Sequence, residues 1–156
     1  MKISKYKKIF GVGPLGALIS IALMLPFWWM DHKLGHPAIS QNPIFLKTFS
    51  CLLILTGAGI HLLTIWTLRH WWVEKKVCTA GPFKVLRHPM YAAWITFIAP
   101  GISLYLNSWI FLLWSMVLHP MWHLIIRQEE SIIIEIFGDE YRKYASRTGR
   151  VIPRFF

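Results

Sequence analysis

The sequence predicts an all-α integral membrane protein of about four transmembrane helices, the last two forming a C-terminal hairpin that leads into a cytosolic amphipathic tail. Three observations carry that prediction. Of 156 residues, 55% are apolar and nine are Trp, too apolar a mixture for a soluble domain of this size. Charge-free runs recur at lengths that cross the ~30 Å hydrocarbon core at about 1.5 Å per residue. The basic residues stand in blocks beside those runs. Residues 1–156 are therefore expected to form a single membrane domain.

The first span is expected over 9–30, which carries no charge. The preceding Lys2, Lys5, Lys7 and Lys8 superficially resemble a secretory signal, but the apolar run is longer than a signal core and lacks a small-residue cleavage site, so it reads as a retained span. Within it, Gly11-Val12-Gly13-Pro14-Leu15-Gly16 matches a dinucleotide-binding pattern literally. No strand precedes it, and small residues that allow close helix packing explain it better. Residues 31–43, with Asp31, His32, Lys33, His36, Pro37 and Pro43, form a polar connector outside the membrane. His32 and His36 have the spacing of a helical metal clamp, but Gly35 and Pro37 break a regular helix there, and no metal site is expected.

The second span is expected over 44–68, with Lys47 snorkelling at its entrance and Gly57, Ala58 and Gly59 admitting a neighbouring helix. His61 is its one ionisable group at depth, and it either lines a site or bonds a neighbouring helix. Arg69-His70-Trp71-Trp72 is an interfacial anchor. A basic loop, 73–88, is broken by Gly81-Pro82. The apolar run after it is too long for one crossing and turns at Asn107-Ser108, giving spans over 89–106 and 109–127 with a kink at Pro100-Gly101. An amphipathic continuation reaches Phe137, Gly138 stops it, and a short helix starts at Asp139-Glu140.

Four basic residues fall in the N-terminal tail, five between Arg69 and Arg87 and six from Arg127 to Arg154, against only Lys33 and Lys47 elsewhere. That asymmetry predicts cytosolic termini and a cytosolic site. The formal charge of +10 accordingly reads as topology and headgroup contact rather than nucleic-acid binding, for which no groove-reading motif is present. Cys51 and Cys78 form neither a disulfide framework nor a ligand pair.

At about 100° per residue, His119, His123, Arg127 and Glu130 project from one face of the last span, with Glu129 on a different flank. Such groups are costly against lipid and should face the bundle or its cytosolic mouth, opposite Arg87, His88 and Tyr91. Spacing alone fits both an ion-pair network that pins the hairpin and a functional site.

The run Gly81-Pro82-Phe83-Lys84-Val85-Leu86-Arg87-His88-Pro89-Met90-Tyr91, an apolar hairpin, Glu129-Glu130, Phe137-Gly138-Asp139-Glu140-Tyr141-Arg142-Lys143-Tyr144 and a closing Arg150-Val151-Ile152-Pro153 resemble the isoprenylcysteine carboxyl methyltransferase superfamily over about 57–156. Phospholipid methyltransferases and small-thiol methyltransferases look related to it. Ala93 departs from the usual glycine there, which narrows a close backbone approach.

The resemblance implies an S-adenosyl-L-methionine (SAM)-dependent methyltransferase. Its cofactor would be held by Phe83, Lys84, Arg87, His88, Pro89, Tyr91, Glu129 and Glu130. Either glutamate would accept ribose hydroxyls, Arg87 or Lys84 would pair with the methionyl carboxylate, and His88 and Tyr91 would wall the sulfonium. Arg127 would hold a carboxylate acceptor, whereas a thiol or amine needs a base, His123 or Glu130. The acceptor is expected to be a lipid or a small apolar molecule entering from the bilayer. Two other classes fit parts of the sequence. A membrane reductase shares the Arg-His-Pro turn, and a metal-handling protein would use His32, His36, His119 and His123, although Pro120 weakens the second pair.

Overall fold

The computed structural model describes residues 11–71 and 76–154, which fold into five helices with no strand among them. The Lys2 to Lys8 tail, the expected start of the first span at residue 9, and Trp72 and Lys75 lie outside the described residues. Helix α1 spans Gly13–Lys33 and α2 spans Ile44–Trp71. Helix α3 is continuous from Pro89 to Tyr105 but changes pitch: α over Pro89–Ala92, π over Ala93–Ile98, and α over Ala99–Tyr105. Helix α4 spans Trp109–Phe137 and α5 spans Asp139–Ala145.

Three of these, α1, α2 and α4, are long and apolar enough to cross a membrane. The fourth expected crossing, α3, runs beside α2, and its wide turn explains its irregularity. Pro100 has no N–H to return to the carbonyl four residues earlier and its ring crowds that carbonyl, so the chain relaxes upstream and Ala99 N–H reaches Trp94 O. The break expected at Pro100-Gly101 therefore lies one turn earlier. The ends of α4 follow the sequence: Ser108 Oγ caps its start by accepting from Ile110 N at 3.1 Å, and Gly138 ends it at φ 55°.

Packing pairs α1 with α4 and α2 with α3, and α3 joins the two pairs against α4. Ile95, Ala99, Trp114, Leu118, Trp122 and Ile126 form the buried core. Small residues set the close approaches. A Cβ on Gly16 would lie 2.7 Å from Trp122 Cζ2, and one on Gly57 would lie 3.1 Å from the Ala93 carbonyl. Gly57 thus supplies, from the facing helix, the room that alanine at 93 takes away, whereas Gly59 meets nothing. Ser20 completes the α1–α4 seam, its carbonyl accepting from Trp114 Nε1 and its hydroxyl from Trp122 Nε1, both at 3.1 Å. Outward faces carry Leu18, Phe45, Leu55 and Leu62, a surface suited to lipid rather than water.

The connector expected over 31–43 begins later than the sequence suggests, because α1 continues to Lys33. Asp31 is buried at the helix end, where it accepts from Ser108 Oγ and pairs with His36 Nδ1 at 2.8 Å. Ile39 N donates to Asn107 O and Trp109 N to Pro37 O, so this connector and the α3–α4 turn close one end of the bundle together. His32 stacks on Trp28, ring centroids 6.3 Å apart.

Candidate functional site

At the other end, the basic turn and the tail are stitched by backbone. His88 precedes a proline, which holds it out of the helical region at φ −126° and ψ 63°, and Leu86 just before it bridges to Gly149 in parallel. Arg87 N donates to Gly149 O at 2.8 Å, His88 N to Arg150 O at 3.0 Å, and Gly149 N to Val85 O at 3.2 Å. Tyr144 Oη adds a bond to Phe83 O at 2.7 Å. Burial pushes the Tyr144 phenol up to about 12, so it remains a neutral donor.

This stitching brings four side chains onto Glu130, which is 7% exposed. Its Oε1 accepts from Arg87 Nε at 2.7 Å and Tyr141 Oη at 3.2 Å, with His88 Nε2 at 3.3 Å. Its Oε2 accepts from both Nε and Nη2 of Arg150, at 2.9 and 2.6 Å. Arg87 Nη1 also donates to the carbonyls of Ala145 and Thr148, so one guanidinium ties the turn, α4 and the tail. Burial, reinforced by the Glu130 carboxylate, raises the Tyr141 phenol above its usual range and keeps it a donor.

Glu129 lies in a different environment. Its Oε2 is buried without a hydrogen-bond partner, 3.7 Å from His88 Nδ1. Its Oε1 faces Gly11 beside the Tyr91 hydroxyl: a Cβ on Gly11 would collide with the carboxylate and lie 3.2 Å from Tyr91 Oη. The Tyr91 ring stacks on His88 at 5.4 Å and meets Trp122 at 4.8 Å, and Gly13 packs against its edge. The start of α1 thus covers a cluster of aromatic rings and one carboxylate oxygen that accepts no hydrogen bond.

Of the residues singled out in the sequence, Arg87, His88, Tyr91, Glu129 and Glu130 converge here, with Pro89 buried beneath them. The last-span stripe is not uniformly interior: His123 is half-buried, within electrostatic reach of Glu130 and Arg150, while Arg127 is exposed. Phe83 contributes its carbonyl to Tyr144. Lys84 lies in a separate cleft with Lys143 and Arg147. His61 faces inward with Nδ1 buried and unpaired.

Sequence reasoning missed Arg150, Tyr141, Trp122 and the Gly11 to Gly13 start of α1 as parts of this site. Arg150 and Tyr141 stand inside the quoted tail motifs, which was a usable signal. Gly11 and Gly13 lie far upstream of those motifs, and only the fold brings them to Tyr91.

The phospholipid methyltransferase family model matches residues 45–140, more than half of the chain, covering α3, α4 and all of α2 but its first residue. No curated protein and no solved structure matches it.

Proposed function

The chain belongs to the phospholipid methyltransferase family, and from that premise we propose that it transfers a methyl group from SAM to a lipid or small apolar acceptor at the cytosolic membrane face. In this reading α3 crosses with the other three long helices, and both chain ends lie with the site on the cytosolic side, as the basic blocks require.

The observation that carries the assignment is the buried Glu129 Oε2, which accepts no hydrogen bond and has His88 Nδ1 3.7 Å away, beside the aromatic wall of Tyr91 and Trp122. A buried carboxylate oxygen without a donor fits a ribose hydroxyl, and the ring faces fit a sulfonium. SAM, when bound, supplies an electrophilic methyl on that positive sulfur. The protein's task is then alignment and exclusion of water, served by the close α1–Tyr91 cover and the buried His88.

On this reading the roles divide. Glu129, Tyr91 and His88 would face the cofactor, and Phe83 and Pro89 would shape the turn behind them. Arg87, committed to Glu130, Ala145 and Thr148, is a positioning residue that holds the tail in place. Glu130 has both oxygens occupied, so proton abstraction from a thiol or amine falls to His123; a carboxylate acceptor would be held by Arg127. Incubating the purified protein with isotopically labelled SAM and membrane lipid or thiol extracts tests this by mass spectrometry. An apolar product carrying the label is expected, and it should be lost in Glu129→Gln. Folded protein that labels nothing in either extract contradicts the assignment.

A further inference from the structure

We propose that the cleft between the basic turn and α5 binds a phosphate group, with Lys84, Lys143 and Arg147 as its cationic ligands. The cleft measures about 420 Å³. Lys84 reaches it from the turn, and Lys143 and Arg147 from the end of α5, so cations from two separate elements meet in one concavity. All three are exposed, and none has an ion pair among the described residues, whereas Arg142 on the same helix pairs with Asp139 at 3.7 Å. Glu140 is the only acid in the lining, which leaves the cleft with an excess of two positive charges.

A helix C-terminus favours cations, which accounts for Lys143 and Arg147 but not for the arrival of Lys84. Three donors, one of them a guanidinium fork, match the oxygens of a phosphate mono- or diester. Thr79 adds a hydroxyl at the rim.

The floor is rigid, since Tyr144 Oη is bonded to Phe83 O and Thr148 Oγ1 to Tyr144 O at 2.9 Å. That floor is also the segment whose Ala145 and Thr148 carbonyls hold Arg87 on Glu130. Occupancy of the cleft therefore steadies the same tail that closes the site. The phosphate has two available sources, a phospholipid headgroup or a soluble phosphate, and the exposed Val85 beside Lys84 places apolar surface next to the cleft.

The test is thermal unfolding of the full chain in neutral detergent with dihexanoyl-phosphatidylglycerol, the phosphate-free dihexanoylglycerol or inorganic phosphate. The anionic lipid should raise the midpoint saturably, and the Lys143→Gln/Arg147→Gln double variant should need roughly tenfold more of it, through loss of two charge-assisted contacts. The response of that variant to S-adenosylhomocysteine should equal wild type, which separates this site from the methyl-transfer reading. Stabilisation by phosphatidylglycerol alone identifies a headgroup; equal stabilisation by inorganic phosphate identifies a soluble ligand. If the double variant melts well below wild type without any ligand, Lys84→Gln takes its place with the same expected weakening. No shift with either anion, equal shifts with dihexanoylglycerol, or a wild-type response in the variants overturns the proposal.

Discussion

Glu130 meets two arginines, a histidine and a tyrosine, whereas Glu129, one residue earlier on the same helix, keeps a buried oxygen with no hydrogen-bond partner. A single helical step of about 100° separates them and turns one toward the tail and the other toward Tyr91 and the start of α1. The contrast teaches that adjacent carboxylates divide the labour of this end of the bundle. Glu130 is a fastener whose charge is fully used by the fold, and Glu129 holds a capacity the fold leaves open.

Removing the fastener should have the largest effect. Glu130→Gln takes away the counter-charge of Arg87 and Arg150, and breaking a buried pair from one side costs about 3–5 kcal/mol. Thermal unfolding in detergent should show that loss together with loss of activity, while an unshifted midpoint would erase the distinction between the two glutamates. Glu129→Gln should sharpen it from the other side. Stability is expected to hold, but affinity for S-adenosylhomocysteine should fall roughly 10–100-fold, the worth of a hydrogen bond to a charged acceptor.

Smaller effects probe what surrounds the pair. Gly16→Ala pushes on Trp122, which walls Tyr91, and overpacking of this kind costs about 1–3 kcal/mol. Unfolding midpoints and cofactor affinity should drop together; affinity alone unchanged would mean that the aromatic wall tolerates displacement. Asp31→Asn loosens the opposite end, where Ser108 and His36 meet the carboxylate, and should cost about 1 kcal/mol without changing cofactor affinity. A change in affinity there would show that the two ends are coupled through α4.

Much of this end of the molecule was legible in the sequence because local rules determine it. Ser108 and Gly138 bound α4 by capping chemistry, and the offset of Glu129 from Glu130 follows from helical periodicity. The basic turn and the double glutamate were recognisable as a combination. What escaped depends on chain segments meeting at a distance. The carbonyls of Ala145 and Thr148 that fix Arg87 have no side-chain signature, so Arg87 looked free to bind a ligand. Lys84 was a candidate because the resemblance implied it, and the 3₁₀ turn over Gly81–Lys84 places it in the cleft with Lys143 and Arg147. The extension of α1 through Asp31 was hidden because a buried carboxylate reads as a loop residue until Ser108 and His36 are seen beside it. The π turn of α3 was displaced from Pro100 for a similar reason: the consequence of a missing N–H is felt one turn upstream.

The most direct measurement is calorimetric titration of S-adenosylhomocysteine into the detergent-solubilised wild type and Glu129→Gln. Saturable binding at one site per chain is expected for the wild type, with marked weakening in a variant that unfolds at the same temperature. Folded wild type that gives no binding heat, or a Glu129→Gln variant that binds as tightly as wild type, would contradict the assignment of this pocket to the methyl donor.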